Sequence, residues 1–106
     1  MAGASPTSLT LKHLREQGYT AEVTEKWNPH ARIRQDLFGF IDVLAVKGSE
    51  TLAVQTTSAA NVSSRIRKIA DSPLIGAVRE AGWTVRVHGW AKVNNRWTLK
   101  RDENLS

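Results

Sequence analysis

Two apolar runs dominate the pattern along the chain, Phe38 to Val46 and Leu52 to Val54, the second continuing into Gln55-Thr56-Thr57. Both are short and rich in aliphatic and β-branched residues, which predicts strands. The polar stretch Lys47-Gly48-Ser49-Glu50 joins them. Gly-Ser at its centre suits a type II′ hairpin, since glycine accepts a positive φ at the first central position. That loop sets a register in which Lys47 faces Glu50, Leu44 faces Ala53 and Asp42 faces Gln55. Side chains alternate along a strand. One face then carries Ile41, Val43, Ala45, Leu52 and Val54, a core face. The other carries Phe40, Asp42, Leu44, Gln55 and Thr57. A slip of one residue would turn Asp42 into the core face, so burial defends the register. An acid, an amide and a hydroxyl thus meet on one patch of a sheet.

The remaining elements follow from the same kind of pattern. Residues 8–17 read as a helix with Leu11 and Leu14 inward, capped by Ser5, Thr7 or Ser8 and ended by Gly18. His13 and Glu16 read as its solvated face. Tyr19 to Trp27 alternates as one strand and Asn28-Pro29 breaks it. His30 to Gln35 reads as a basic loop containing Arg32 and Arg34. Ser58 to Asn61 is a polar link ending in an N-cap. Val62 to Ala70 is a helix whose Val62, Ile66 and Ile69 share a face, with Arg65, Arg67 and Lys68 on the remaining arc and no acid among them. Ser72-Pro73 starts another helix, Gly82 ends it, and Trp83 to Trp90 is a strand with Val85 and Val87 facing one way and His88 the other. A turn at Val93 to Arg96 leads to a last strand, Arg96 to Arg101, and the tail 102–106 reads as frayed. The order α-β-β-β-α-β-β predicts an α/β (α+β) domain with a mixed sheet flanked by helices.

Composition narrows the picture. The chain has 106 residues, enough for one domain spanning 1–106 with a core of its own. No apolar run approaches the roughly 20 residues needed to cross a bilayer. Met1 to Ser8 lacks the basic and apolar regions of a secretory signal, and there are no cysteines. Disulfides and thiolate metal sites are thereby excluded, and an intracellular, cytoplasmic location is expected. Fifteen Lys and Arg against ten Asp and Glu leave a net charge of +5, which favours a polyanionic partner, nucleic acid before membrane. The cations placed to meet phosphates are Arg32 and Arg34 in the basic loop and Arg65, Arg67 and Lys68 on the helix after the hairpin. His13, His30 and His88 have no metal-ligand spacing with one another. Ser58 and His88 sit in no strand-turn-helix nucleophile elbow. Most of Trp27, Trp83, Trp90 and Trp97 are expected in the core or covering sheet edges, stacking on unpaired bases being the alternative use of such rings.

The segments Ile41-Asp42-Val43-Leu44-Ala45 and Leu52-Ala53-Val54-Gln55-Thr56-Thr57 resemble the second and third strands of the PD-(D/E)xK nuclease superfamily, nearest to small phage and bacterial nuclease-like proteins and Holliday-junction resolvases. The resemblance covers residues 8 to about 90. It implies a restriction-endonuclease-like αβββαβ core, here with an extra C-terminal strand. It also implies a DNA endonuclease using Mg²⁺ or Mn²⁺, and, as resolvases of this family act as dimers, a homodimer in which Trp90 or Trp97 could form the contact. Asp42 stands at the family's first acid. Gln55 occupies the second acid's position and Thr57 the lysine's, so the catalytic set carried over is Asp42, Gln55 and Thr57. Gln55 can offer a carbonyl oxygen to a hard cation but no charge. Further acids are needed, and Glu25 on the neighbouring strand is the better candidate, making the metal set Asp42, Gln55 and Glu25. Asp36 lies roughly 20 Å from Asp42 along a straight strand and contributes only if Gly39 bends the chain. Lys68 is a better stand-in for the missing lysine than Lys47. Two functional classes stay open: a metal-dependent nuclease, or a nuclease-like fold without catalysis that serves as a DNA-binding or assembly module.

Overall fold

The computed structural model describes residues 4–106, so the reading of Met1 to Ser8 falls partly outside the described residues. The chain runs α1 (Pro6–Glu16), β1 (Thr20–Val23), β2 (Lys26–Asn28), β3 (Ile33–Gln35), β4 (Val43–Lys47), β5 (Glu50–Ser58), a 3-10 turn (Ala59–Asn61), α2 (Val62–Ala70), α3 (Ile75–Glu80), β6 (Thr84–Val93) and β7 (Arg96–Asn104). Five strands form a mixed sheet in the order β1-β4-β5-β6-β7, parallel only between β5 and β6. The fold is α+β. Strands β2 and β3 form a separate two-stranded ribbon.

The hairpin register stands as expected: Lys47 pairs with Glu50, Leu44 with Ala53 and Val43 with Val54. Gly48 takes φ +59 at the turn, the value a type II′ loop requires at its first central position. Both faces of the hairpin are buried. Val43, Ala45, Leu52 and Val54 pack with Leu14 and Ala21 on the α1 side. Ala53, Val85 and Val87 pack with Val62, Ile69, Ile75 and Val78 on the α2–α3 side. Phe40 and Ile41 belong to this second layer. Ile41 therefore does not share a face with Val43, because the alternation breaks where the chain enters β4.

Helix α1 starts on a reciprocal cap. The Ser5 hydroxyl accepts from the Ser8 N–H at 3.1 Å and the Ser8 hydroxyl accepts from the Ser5 N–H at 3.0 Å, an arrangement worth about 1 kcal/mol. The crossover from β5 to β6 is held close by Gly89. A Cβ there would meet the Val62 side chain and lie 3.0 Å from the Ala59 Cα.

Several local expectations are corrected by long-range pairing. Tyr19 to Trp27 is not one strand but β1 and β2, in different sheets. The basic loop contains β3, which pairs with β2. Asn61 makes no capping bond and its amide donates to the Ser58 hydroxyl instead. Ser72-Pro73 forms a turn ahead of α3, in which the Ser72 hydroxyl accepts the Leu74 N–H. The tail is not frayed: β7 extends to Asn104, the Leu105 N–H donates to the Val85 carbonyl at 2.8 Å, and Arg79 holds the Leu105 carbonyl. No helix among the described residues is long and apolar enough to cross a membrane.

A buried polar chain ties α1 to β6 and β7. The Trp90 indole N–H donates to the Thr10 hydroxyl at 2.9 Å, that hydroxyl lies 3.2 Å from His88 Nδ1, and His88 Nε2 lies 3.4 Å from Asp102. Hydroxyl, imidazole and carboxylate follow the order of a nucleophilic triad. Thr10 has no exposed surface, however, and already accepts from an indole. No substrate atom can reach it, so the chain is a packing device. His13 stands edge-on to both His88 and Trp90, half-buried rather than on a solvated face. Trp90 is buried and bonded to Thr10.

Candidate metal centre

Strand β4 peels away from β5 at Asp42. The chain before it turns tightly: Phe38 and Gly39 take φ +54 and +83, and the Ile41 N–H donates back to the Leu37 carbonyl at 2.9 Å. This turn brings Asp36 back beside Asp42. The backbone of Asp42 is pinned from both sides, its N–H donating to the Val54 carbonyl at 2.9 Å and its carbonyl accepting the Thr24 N–H at 2.8 Å. The Thr24 hydroxyl also donates to the Ile41 carbonyl at 2.7 Å, which fixes the end of β1 and therefore Glu25. Carboxylate oxygens of Glu25, Asp36 and Asp42 all lie within 4.8 Å of one another.

The Asp42 carboxylate is buried and well provided with donors. Its Oδ2 accepts the Thr56 N–H at 2.8 Å, the Gln55 amide at 2.8 Å and the Thr56 hydroxyl at 3.3 Å. The Thr56 hydroxyl also meets Thr7 of α1 at 3.0 Å. Burial pushes the Asp42 carboxyl up to about 7, and the neighbouring Asp36 carboxyl adds to the rise. The donors from Thr56 and Gln55 pull the other way without overcoming it. Among the described residues none of the three acids forms a salt bridge, although Arg34 and Arg65 line the same cavity.

Gln55 adds a second polar feature at the same place. It is buried, its amide nitrogen is committed to Asp42, and its Oε1 has no hydrogen-bond partner among the described residues. A buried unpaired carbonyl costs about 1–3 kcal/mol. Gln55 lines the same cavity of about 330 Å³ as the three acids. Oxygens around an octahedral Mg²⁺, with bonds of about 2.0–2.1 Å, lie roughly 3–4 Å apart. The three carboxylates lie within 4.8 Å of one another, and an all-oxygen cluster of this kind, with the Gln55 oxygen in the same cavity, is the chemistry a hard cation takes.

The expected site residues divide clearly. Asp42, Gln55, Thr57 and Glu25 line one cavity, together with Arg34 and Arg65. Arg32, Arg67 and Lys68 are exposed and do not line it. Asp36 joins the cavity through the bend at Gly39, a contribution that depends on the left-handed conformation of Phe38 as well. Thr56 and Thr7 were not signalled by the alternation argument. Their roles arise because β4 leaves β5 unpaired at that point. Compared with protein-family models, curated proteins and solved structures, the chain matches none of them.

Proposed function

We propose that the protein is a metal-dependent phosphodiesterase acting on nucleic acid, built on a PD-(D/E)xK-type αβββαβ core. The observation that carries this reading is the convergence of Glu25, Asp36 and Asp42 beside the unpartnered Gln55 oxygen. Asp36 makes up the charge that Gln55 lacks at the second acid's position. A divalent cation in this cavity would polarise a scissile phosphate and lower the pKa of a bound water. The chain's own part is to hold the acids close, to keep Asp42 oriented through Thr56, Gln55 and Thr24, and to present Arg34 and Arg65 to the phosphate. Guanidinium groups bind phosphate oxygens in pairs.

A second reading rests on a specific observation: among the described residues no lysine lines the cavity. On that reading the site binds a cation and nucleic acid without cleaving. The deciding experiment incubates the protein with single-stranded, branched and duplex DNA in Mg²⁺ or Mn²⁺, beside Asp42→Asn. Cleavage by the wild type alone is the expected result. Tight metal and DNA binding with no cleavage selects the second reading, and cleavage undiminished in Asp42→Asn contradicts both.

A further inference from the structure

The β2–β3 ribbon lies between two of the three acids: Glu25 directly precedes β2 and Asp36 directly follows β3. Residues 26–35 contain Lys26, His30, Arg32 and Arg34 and no acid. Trp27 pairs directly with Arg34 across the ribbon. Directly opposite residues project to the same face, about 4.5–5.5 Å apart at Cβ. Arg34 lines the acidic cavity, and Trp27 shares that face of the ribbon two rungs out from Glu25 and Asp36, beside the cavity rather than in its lining. Trp27 is 57% exposed, the most exposed large hydrophobic residue among those described, and belongs to neither core cluster. Its indole therefore presents free surface to a ligand.

We infer that Trp27 is a stacking platform for an unpaired nucleobase next to the phosphate held at the acids, so that the preferred ligand of this site is single-stranded nucleic acid. The positive ribbon supplies the attraction for the backbone. The indole supplies the discrimination, because the faces of bases inside a duplex are already covered by their neighbours, whereas an unpaired base offers a free face. This inference rests on the phosphodiesterase reading for the placement of the phosphate but not for the stacking itself.

The test is binding of labelled oligothymidylate and of a blunt duplex of equal length, measured by anisotropy in chelator so that no cleavage intervenes. The wild type should bind the single strand more tightly and show quenched tryptophan fluorescence on binding. Trp27→Ala should weaken single-strand binding by roughly 5- to 150-fold, the equivalent of one base–aromatic stack, and leave duplex binding unchanged. Trp27→Phe should recover part of the loss, which a merely misfolded ribbon would not. Equal affinity of the wild type for both ligands, unchanged single-strand affinity in Trp27→Ala, or no binding to either ligand would each overturn the inference. Mn²⁺ binding by the wild type and by Asp42→Asn, measured separately, judges the metal reading on its own.

Discussion

The Asp42 carboxylate takes the Thr56 backbone N–H at 2.8 Å, at the point where β4 has left the ladder. Val54 and Thr56 turn their backbone polar groups to the same side of β5, and Asp42 serves both: its N–H meets the Val54 carbonyl and its side chain meets the Thr56 N–H. One residue thereby closes the end of the ladder and turns a carboxyl towards Glu25 and Asp36. Removal of that side chain in Asp42→Ala leaves a buried N–H and the Gln55 amide without an acceptor. A loss of about 1–3 kcal/mol per orphaned group is expected, measurable by urea unfolding. Asp42→Asn keeps an acceptor and should cost far less.

Stability without metal should fall as pH rises. The Asp42 carboxyl is raised from 3.8 to about 7. Between those values the folded state holds a proton that the unfolded chain has released, so its stabilisation is complete below the lower value and is lost on passing the upper one. The effect is on the order of a few kcal/mol. Urea midpoints measured in chelator across this range should show the decline, and Asp42→Asn should flatten it.

His13 acts in the opposite direction. Burial, then the neighbouring His88, holds its pKa below 6.5. The unfolded chain therefore takes up the proton first as pH falls, and this group removes stability below 6.5. His13→Gln removes this loss inside the window where Asp42 gains stability, so the rise in stability on acidification below 6.5 should become steeper.

Gly89→Ala should destabilise by about 1–3 kcal/mol through overpacking. The added Cβ meets the Val62 side chain and the Ala59 backbone, the latter 3.0 Å away. Adding Val62→Ala should relieve only the side-chain part of the clash. A double-mutant cycle in urea reads the coupling.

The hairpin register, Gly48 and helix α2 were legible because each depends on neighbours in sequence: a two-residue turn, an alternation, and apolar positions Val62, Ile66 and Ile69 on one face. Strands β2 and β3 have three residues each, too few for a period to show, and they are strands only because they pair with each other. The segment Lys100 to Asn104 carries charge where a strand pattern would want apolar residues. It is ordered by pairing with β6 and by Asp102 meeting Arg86 and His88. Asp36 was the site's hidden member. Glycine at position 39 announced a bend, but the left-handed Phe38 beside it carries no such signal, and it takes both to return Asp36 to Asp42. Glu25 was legible as a neighbour because β1 pairs with β4.

The Thr10–His88–Asp102 chain offers a control remote in role from the acids. Thr10→Val removes the acceptor of the buried Trp90 indole and the partner of His88. A loss of about 1–3 kcal/mol is expected, with no change in Mn²⁺ binding.

Calorimetric titration of Mn²⁺ into the folded protein, at a pH above the Asp42 value of about 7, tests the cation site directly. One saturable site, lost in Asp42→Asn and weakened in Asp36→Asn and in Gln55→Leu, is the predicted result. Titration just below that value should in addition release a proton on binding. No binding by the wild type, or binding of equal strength in Asp42→Asn, would contradict the account.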